Sequence, residues 1–293
     1  MKRAAALAAL LLLVTGTMAA AEIRGAWTAE AQADGSLQMN LTSRNNNHGE
    51  SMPLNDFTGL SSTAIDAATQ TPVTFELRRE AGNVAFEGTF KGGFGAGQFT
   101  FTPSPDYRAT LRSLGVTFED TDRDEDRELM TMALLDVSTA YIRSMQAEGY
   151  RQSAETYLKM RVFRITPEYV RDMRASGYKT LSADELVTSR IHRATPEFVR
   201  EIAGLGYRDL AFDDLIAFRI HRVTPELIRD LRDLGYTDIP ADQLVAMSIH
   251  RVTPEFIREM KDAGYEHVPV EKLISMRIHG IDATFVKKMN RSQ

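Results

Sequence analysis

Thr195-Pro196-Glu197-Phe198-Val199-Arg200-Glu201-Ile202 is the stretch that decides the fold, because the chain repeats it. It returns as Thr224-Pro225-Glu226-Leu227-Ile228-Arg229-Asp230-Leu231 and as Thr253-Pro254-Glu255-Phe256-Ile257-Arg258-Glu259-Met260. An earlier copy is Thr166-Pro167-Glu168-Tyr169-Val170-Arg171-Asp172-Met173, and these four copies are spaced 29 residues apart. A looser copy begins near Ser138, with Tyr141-Ile142-Arg143-Ser144-Met145. An opening copy is Ser104-Pro105-Asp106-Tyr107, and a truncated last one is Asp282-Ala283-Thr284-Phe285-Val286-Lys287. Seven copies of one phrase mark a repeat array, in which stacked neighbours supply the core that no unit owns alone.

Each position of the phrase has a physical task. Thr166, Thr195, Thr224 and Thr253 are placed as N-caps, whose hydroxyls accept from orphan backbone N–H groups. Pro follows at the first helical position, where no N–H is needed. Glu168, Glu197, Glu226 and Glu255 favour the positive end of the helix dipole and lie three residues before Arg171, Arg200, Arg229 and Arg258. Phe198, Val199, Ile202 and Leu205 follow one helical face. Gly177, Gly206, Gly235 and Gly264 are predicted to end the helix in a left-handed conformation, with Tyr178, Tyr207, Tyr236 and Tyr265 next, closing back on it.

A second helix fills the rest of each unit. One begins at Ala183-Asp184-Glu185-Leu186-Val187 with Ser182 as its cap, and counterparts run from Asp213, Ala241 and Val270. Each carries Leu, then Val or Ile, then Ile five residues on, as in Leu244, Val245 and Ile249. Two helices too short to be stable alone read as an α-hairpin solenoid. The polar stretch Lys287-Lys288-Met289-Asn290-Arg291 suits an end cap.

Upstream, the pattern is β. Apolar and polar residues alternate in Val73–Leu77, Val84–Phe90 and Gln98–Thr102, and strands are also expected at Arg24–Ala31 and Ser36–Ser43 around an Asp34-Gly35 turn. The Gly-rich run Gly92–Gly97 reads as a hairpin turn, since neither a dinucleotide nor a phosphate-loop pattern surrounds it. Trp27 reads as sheet core. The expected fold is α+β: an antiparallel β-meander forming a small sandwich or half-barrel (22–103), then helical repeats (104–293).

Residues 1–21 read as a signal peptide. Lys2 and Arg3 form a basic start, Ala4–Val14 is apolar, and Ala19-Ala20-Ala21 offers a cleavage site before Glu22. Cleavage leaves 272 of the 293 residues and takes the net charge from −5 to −7. With no cysteine, the chain has no disulfide, thiol nucleophile or lipoprotein anchor. Export without cysteine favours a bacterial periplasm or the extracellular space. No later segment reads as membrane-spanning, the acidic balance disfavours nucleic acid, and the mature chain is expected to be a soluble monomer.

Candidate chemistry is sparse. His192, His221, His250 and His279 recur once per unit, but the same column holds Phe163 and Leu135, so it is primarily a packing column. Arg190, Arg219 and Arg277 precede Ile-His, and Arg193, Arg222 and Arg251 follow it. With the four histidines, these arginines form the possible binding surface for an unidentified protein or peptide, although acids slightly outnumber bases across 166–281. Asp120, Asp122 and Asp124 mimic the start of a calcium loop, but Glu125 and Thr131 occupy the positions for Gly and Glu. Thr121 as an N-cap explains the acids. His48 has no partner motif of a hydrolase. No catalytic residue, cofactor or metal ligand is assigned. A small-ligand or lipid pocket in the β-domain and a hydrolase with an unconventional site remain the alternatives.

The phrase, its Gly-Tyr ending, and the Ala-Asp-x-Leu-Val and Ile-His that follow resemble a helical repeat of bacterial exported proteins. Similar repeats occur as C-terminal extensions of β-lactam-sensing (BlaR/MecR-type) membrane metallopeptidases. The resemblance spans about residues 73–289 and includes Phe75-Glu76-Leu77-Arg78 and Gly97-Gln98-Phe99-Thr100-Phe101. It implies an extracytoplasmic sensing or interaction role. No catalytic residue carries over, because the chain lacks the metallopeptidase H-E-x-x-H.

Overall fold

The computed structural model describes residues 22–44, 46–118 and 122–290. The segment read as a signal peptide, Asn45, the Glu119-Asp120-Thr121 part of the acidic run and Arg291 of the expected end cap lie outside the described residues. Two compact units divide after Thr139.

The first unit is built on β1 (Ile23–Ala31), β2 (Ser36–Ser43), β3 (Asn46–Pro53), β4 (Phe57–Thr58), a short helix α1 (Ser62–Ile65), β5 (Thr71–Arg79), β6 (Gly82–Lys91) and β7 (Phe94–Pro103). They form a seven-stranded antiparallel half-barrel in the order β3-β2-β1-β7-β6-β5-β4. Every strand neighbours its sequence neighbour, and β1 pairs with β7; the one seam without a ladder is β3/β4. The pairing directions explain the seam. With β1 antiparallel to both β2 and β7, the alternation makes β3 and β4 run the same way. Only Leu54–Asp56 separates them, and parallel pairing needs a crossover of a dozen or more residues. The run from β3 into β4 therefore serves both sheet edges in succession, pairing first with β2 and then with β5.

Alternation sends Phe75, Leu77, Val84, Phe86, Phe99 and Phe101 into the core. Phe75 stacks on Phe86 at 4.7 Å between centroids, and Trp27 meets Phe75 edge-on at 5.3 Å. Each buried ring contributes about 1.5–3 kcal/mol. Trp27 lies across Gly88 and Gly97, which face each other in register. A Cβ on Gly97 would stand 1.9 Å from the Glu87 carbonyl oxygen, and one on Gly88 2.8 Å from the Trp27 ring. Gly97 is thus a strand residue under the tryptophan. The turn expected over Gly92–Gly97 is confined to Gly92 and Gly93, both at positive φ, because β7 needs the rest of the run to reach β1.

Helices α2 (Pro105–Ser113) and α3 (Asp122–Leu134) follow. The pattern switches from strand to helix at Pro103–Ser104, yet both helices belong to the first unit. α3 lies against β6 and β7; Tyr107 Oη donates to the Val137 carbonyl at 2.5 Å, and Thr139 N–H to Glu80 at 2.8 Å. Burial and nearby Glu80 and Asp136 raise the pKa of Tyr107. Glu125 and Asp126, both nearly inaccessible, are neutralised by Arg108 and Arg112, with Glu125 3.1 and 2.9 Å from them.

The second unit is the repeat array. First helices are α4 (Thr139–Ala147), α6 (Pro167–Ala175), α8 (Pro196–Gly204), α10 (Pro225–Asp233), α12 (Pro254–Asp262) and α14 (Ala283–Asn290). Second helices are α5 (Ala154–Val162), α7 (Ala183–Ile191), α9 (Phe212–Ile220), α11 (Ala241–Ile249) and α13 (Val270–Ile278). Second helices pack on second helices and first on first, giving two layers. The caps follow the sequence: Thr166, Thr195, Thr224 and Thr253 accept from the N–H three residues on, each contributing about 1 kcal/mol. Ser182 and Glu185 form a capping box, whereas α9, α11 and α13 start behind Ala211, Pro240 and Pro269 without a side-chain cap. Gly177, Gly206, Gly235 and Gly264 have positive φ. The N–H of the following tyrosine then returns to the carbonyl five residues back, as from Tyr207 to Ile202.

Candidate functional site

The tyrosine after that glycine also reaches forward. Tyr150 Oη donates to the Leu181 carbonyl at 2.6 Å, Tyr178 to Leu210 at 2.9 Å, Tyr207 to Ile239 at 2.6 Å and Tyr236 to Val268 at 2.8 Å. Each bond ties one unit to the entrance of the next unit's second helix. Burial raises the pKa of all four, Tyr178 to about 12 with Asp214 adding to the effect. These residues build the stack.

The arginines singled out by sequence fall into two groups. Arg190, Arg219 and Arg277 fold onto the array. Arg190 covers the Tyr169 ring at 3.7 Å, Arg219 that of Phe198 at 4.6 Å and Arg277 that of Phe256 at 5.0 Å. The same side chains donate to carbonyls of the preceding unit: Arg190 to Arg164 at 3.1 Å, Arg219 to His192 at 3.1 Å and Arg277 to His250 at 3.3 Å. The unit with Leu227 in place of the aromatic ring has Ser248 in place of the arginine, and its hydroxyl donates to the His221 carbonyl. Arginine is present where there is a ring to cover and absent where there is none. This internal pairing identifies the column as an inter-unit staple using cation–π contact; it was readable in the sequence.

Arg193, Arg222 and Arg251 are different. They are exposed, and each sits in the left-handed region, at φ +56°, +58° and +56°. Arg164 occupies the same place at +53°, and Gly280 holds it in the last unit at +68°. Among the described residues no ion pair engages these four arginines. The acids four residues downstream are otherwise held: Glu197 takes its own N–H, the Thr195 hydroxyl and Arg200, which together lower its pKa. Glu168, Glu226 and Glu255 behave alike.

Two residues before each arginine stands an exposed aliphatic side chain. Val162, Ile191, Ile220, Ile249 and Ile278 are between 51% and 56% accessible. Sequence reading grouped Ile249 with the buried Leu244, yet five residues turn a helix by about 140° from the start, which puts the isoleucine on the opposite side. His192, His221, His250 and His279 are the C-caps between these two columns, and the carbonyls of His192, His221 and His250 accept the next unit's staple. The column Glu185, Asp214, Gln243 and Lys272, exposed in part or in full, changes residue type from unit to unit, while the aliphatic column stays β-branched.

The remaining candidates are structural. His48 Nε2 lies 3.2 Å from Thr131 Oγ1, and burial lowers its pKa. Among the described residues no group of three or more His, Asp or Glu is arranged to hold a metal ion, and no helix is long and apolar enough to cross a membrane. No family model, curated protein or solved structure matches the chain.

Proposed function

We propose that the protein is a non-enzymatic interaction or sensing module that works outside the cytoplasm and binds a protein or peptide through its helical repeats. The observation that carries this reading is the paired column of exposed β-branched residues and ion-pair-free arginines. About half of each aliphatic side chain faces water and the arginines are exposed, and the arginines hold a backbone conformation that costs an L-residue about 1–2 kcal/mol. Strain kept at equivalent positions in successive units points to a use. The aromatic filling of the sheet interior favours this reading over a ligand cavity in the first unit. Neutralisation and burial of Glu125 and Asp126 disfavour them as catalytic acids. The leader at 1–21 and the resemblance to exported helical repeats support the extracytoplasmic setting.

The test is site-specific photo-crosslinking of the full chain in extract from its own cells. A benzophenone side chain at Ile220 or Ile249 is expected to give a discrete protein adduct. The same group at Glu201 or Asp230, on the first-helix layer, is not. Equal labelling from both layers, or none from Ile220 and Ile249, overturns the proposal.

A further inference from the structure

The two columns define the chemistry of what binds them, and this inference rests on the interaction reading above. Val162, Ile191, Ile220, Ile249 and Ile278 present one branched aliphatic group per unit at the ends of helices packed side by side. Adjacent packed helices lie about 8–10 Å apart, so the apolar groups advance by that step. Arg164, Arg193, Arg222 and Arg251 run beside them with their charge uncommitted among the described residues. The matching ligand offers an apolar group every 8–10 Å or so with acids alongside.

Three backbone geometries can be compared with that step. A β-strand returns a side chain to one face at about 6.7 or 13 Å, which misses it. A polyproline helix returns at about 9 Å and an α-helix at about 10.5 Å, at every third and every seventh residue. The main chain of the surface separates these two. The carbonyls of Arg164, His192, His221 and His250 are engaged by the following unit. The turn N–H groups close onto their own helices, as from Arg193 to Arg190 and from Ala194 to Ser189. The edge therefore has little main chain to offer a ligand whose own backbone is unpaired. An α-helix needs none.

We infer that the edge formed by the C-terminal ends of the second helices is a docking surface for an amphipathic, acidic α-helix. Its apolar residues recur at heptad spacing and engage the aliphatic column, while flanking carboxylates meet the arginines. Asp136 and Gly280 take the equivalent backbone position in the units before and after, at φ +53° and +68°, so the turn itself does not require arginine there.

The probe is a synthetic amphipathic helix of about four heptads with leucine on one stripe and glutamate beside it. Its affinity for the full chain is read by fluorescence anisotropy. The comparators are a peptide with lysine for glutamate, one broken by central proline, and vesicles of phosphatidylethanolamine and phosphatidylglycerol. The glutamate helix is expected to bind at least about tenfold more tightly than either comparator peptide, and less tightly as salt rises. The combined R164G, R193G, R222G and R251G variant is expected to lose at least about tenfold in affinity while its Tm stays level or rises. I191S with I220S and I249S is expected to lose affinity while remaining folded by circular dichroism, with a lowered Tm because each side chain is about half covered. Equal binding of the glutamate and lysine peptides, full affinity in the arginine-to-glycine variant, or preference for the vesicles overturns the inference. If the peptides fail while crosslinking from Ile220 persists, the acidic-helix assignment falls and the interaction reading stands. If both fail, both fall.

Discussion

Within each 29-residue unit the chain leaves a helix twice by the same backbone route, with different residues. The first helix ends on glycine at positive φ, followed by a tyrosine whose hydroxyl crosses to the next unit. The second ends, at Arg193, Arg222 and Arg251, on arginine at positive φ, two residues after an isoleucine that is about half exposed. The first exit uses the residue with no penalty for that conformation and spends its neighbouring side chain on stacking. The second tolerates the penalty, buries the residue that follows (Ala194, Val223 or Val252), and leaves exposed only the arginine and the isoleucine two residues before it. The first exit is thus committed wholly to the fold, and the second only in part, with its arginine and isoleucine left over for the proposed ligand.

The comparison breaks most sharply at the glycine. Gly235→Val is expected to cost about 2 kcal/mol, because φ +91° is closed to a branched side chain and its nearest side-chain neighbour, His267, is 3.9 Å from a built Cβ. Urea titration of the variant measures it; a loss under half that size removes the argument from conformation. Tyr207→Phe is expected to cost about 1 kcal/mol or somewhat more, since the Ile239 carbonyl loses its donor. An unchanged midpoint would mean that water replaces the hydroxyl freely. At the other exit, Arg222→Gly is expected to leave stability unchanged or raise it by up to about 1 kcal/mol, relief of the left-handed strain being offset by loss of a cation near a helix C-terminus. A drop of more than about 1 kcal/mol would make that arginine a structural residue.

The smallest effects are those of pH. The raised tyrosine pKa values stabilise the fold fully below pH 10, the ordinary phenol value. That contribution falls as the pH rises through 10 toward the folded-state value, about 12 at Tyr178. The lowered values of Glu168, Glu197, Glu226 and Glu255 act in the opposite sense, their contribution being lost as the pH falls below 4.5. Melting temperatures taken across pH 3 to 11 are expected to decline at both ends. In Tyr178→Phe the alkaline decline is expected to be shallower, and an identical alkaline slope would exclude that tyrosine from the ladder.

The repeat fold was legible because each unit writes its own punctuation. Thr, Pro and Gly at fixed offsets are local signals, decided within one helical turn. The strands β1, β2, β5, β6 and β7 were legible from their alternation. β3 was not: Asn46–Pro53 carries little apolar pattern, and its pairing is imposed from outside by β2. The role of Gly97 was equally hidden, since it depends on the close approach of the Glu87-Gly88 backbone from the neighbouring strand. At the candidate site, sequence reading treats Arg190, Arg219 and Arg277 together with Arg193, Arg222 and Arg251, whereas the structure separates them into two columns. The identities of Tyr169, Phe198, Leu227 and Phe256 beside Arg190, Arg219, Ser248 and Arg277 held the distinction, and the angle between Leu244 and Ile249 held the exposure. Backbone strain at Arg193 has no sequence signature at all.

The forward bond from each tyrosine has a consequence for how such a chain can change. Tyr178, Tyr207 and Tyr236 each donate to a carbonyl 32 residues ahead. Deleting one whole unit therefore presents the upstream tyrosine with an equivalent acceptor from the unit after. Duplicating a unit inserts one new donor and one new acceptor. The array can lengthen or shorten by whole units without a mismatched joint, and each such event adds or removes one isoleucine and one arginine from the exposed edge. The length of the exposed edge is then a stepwise quantity, changed by whole units rather than by single substitutions.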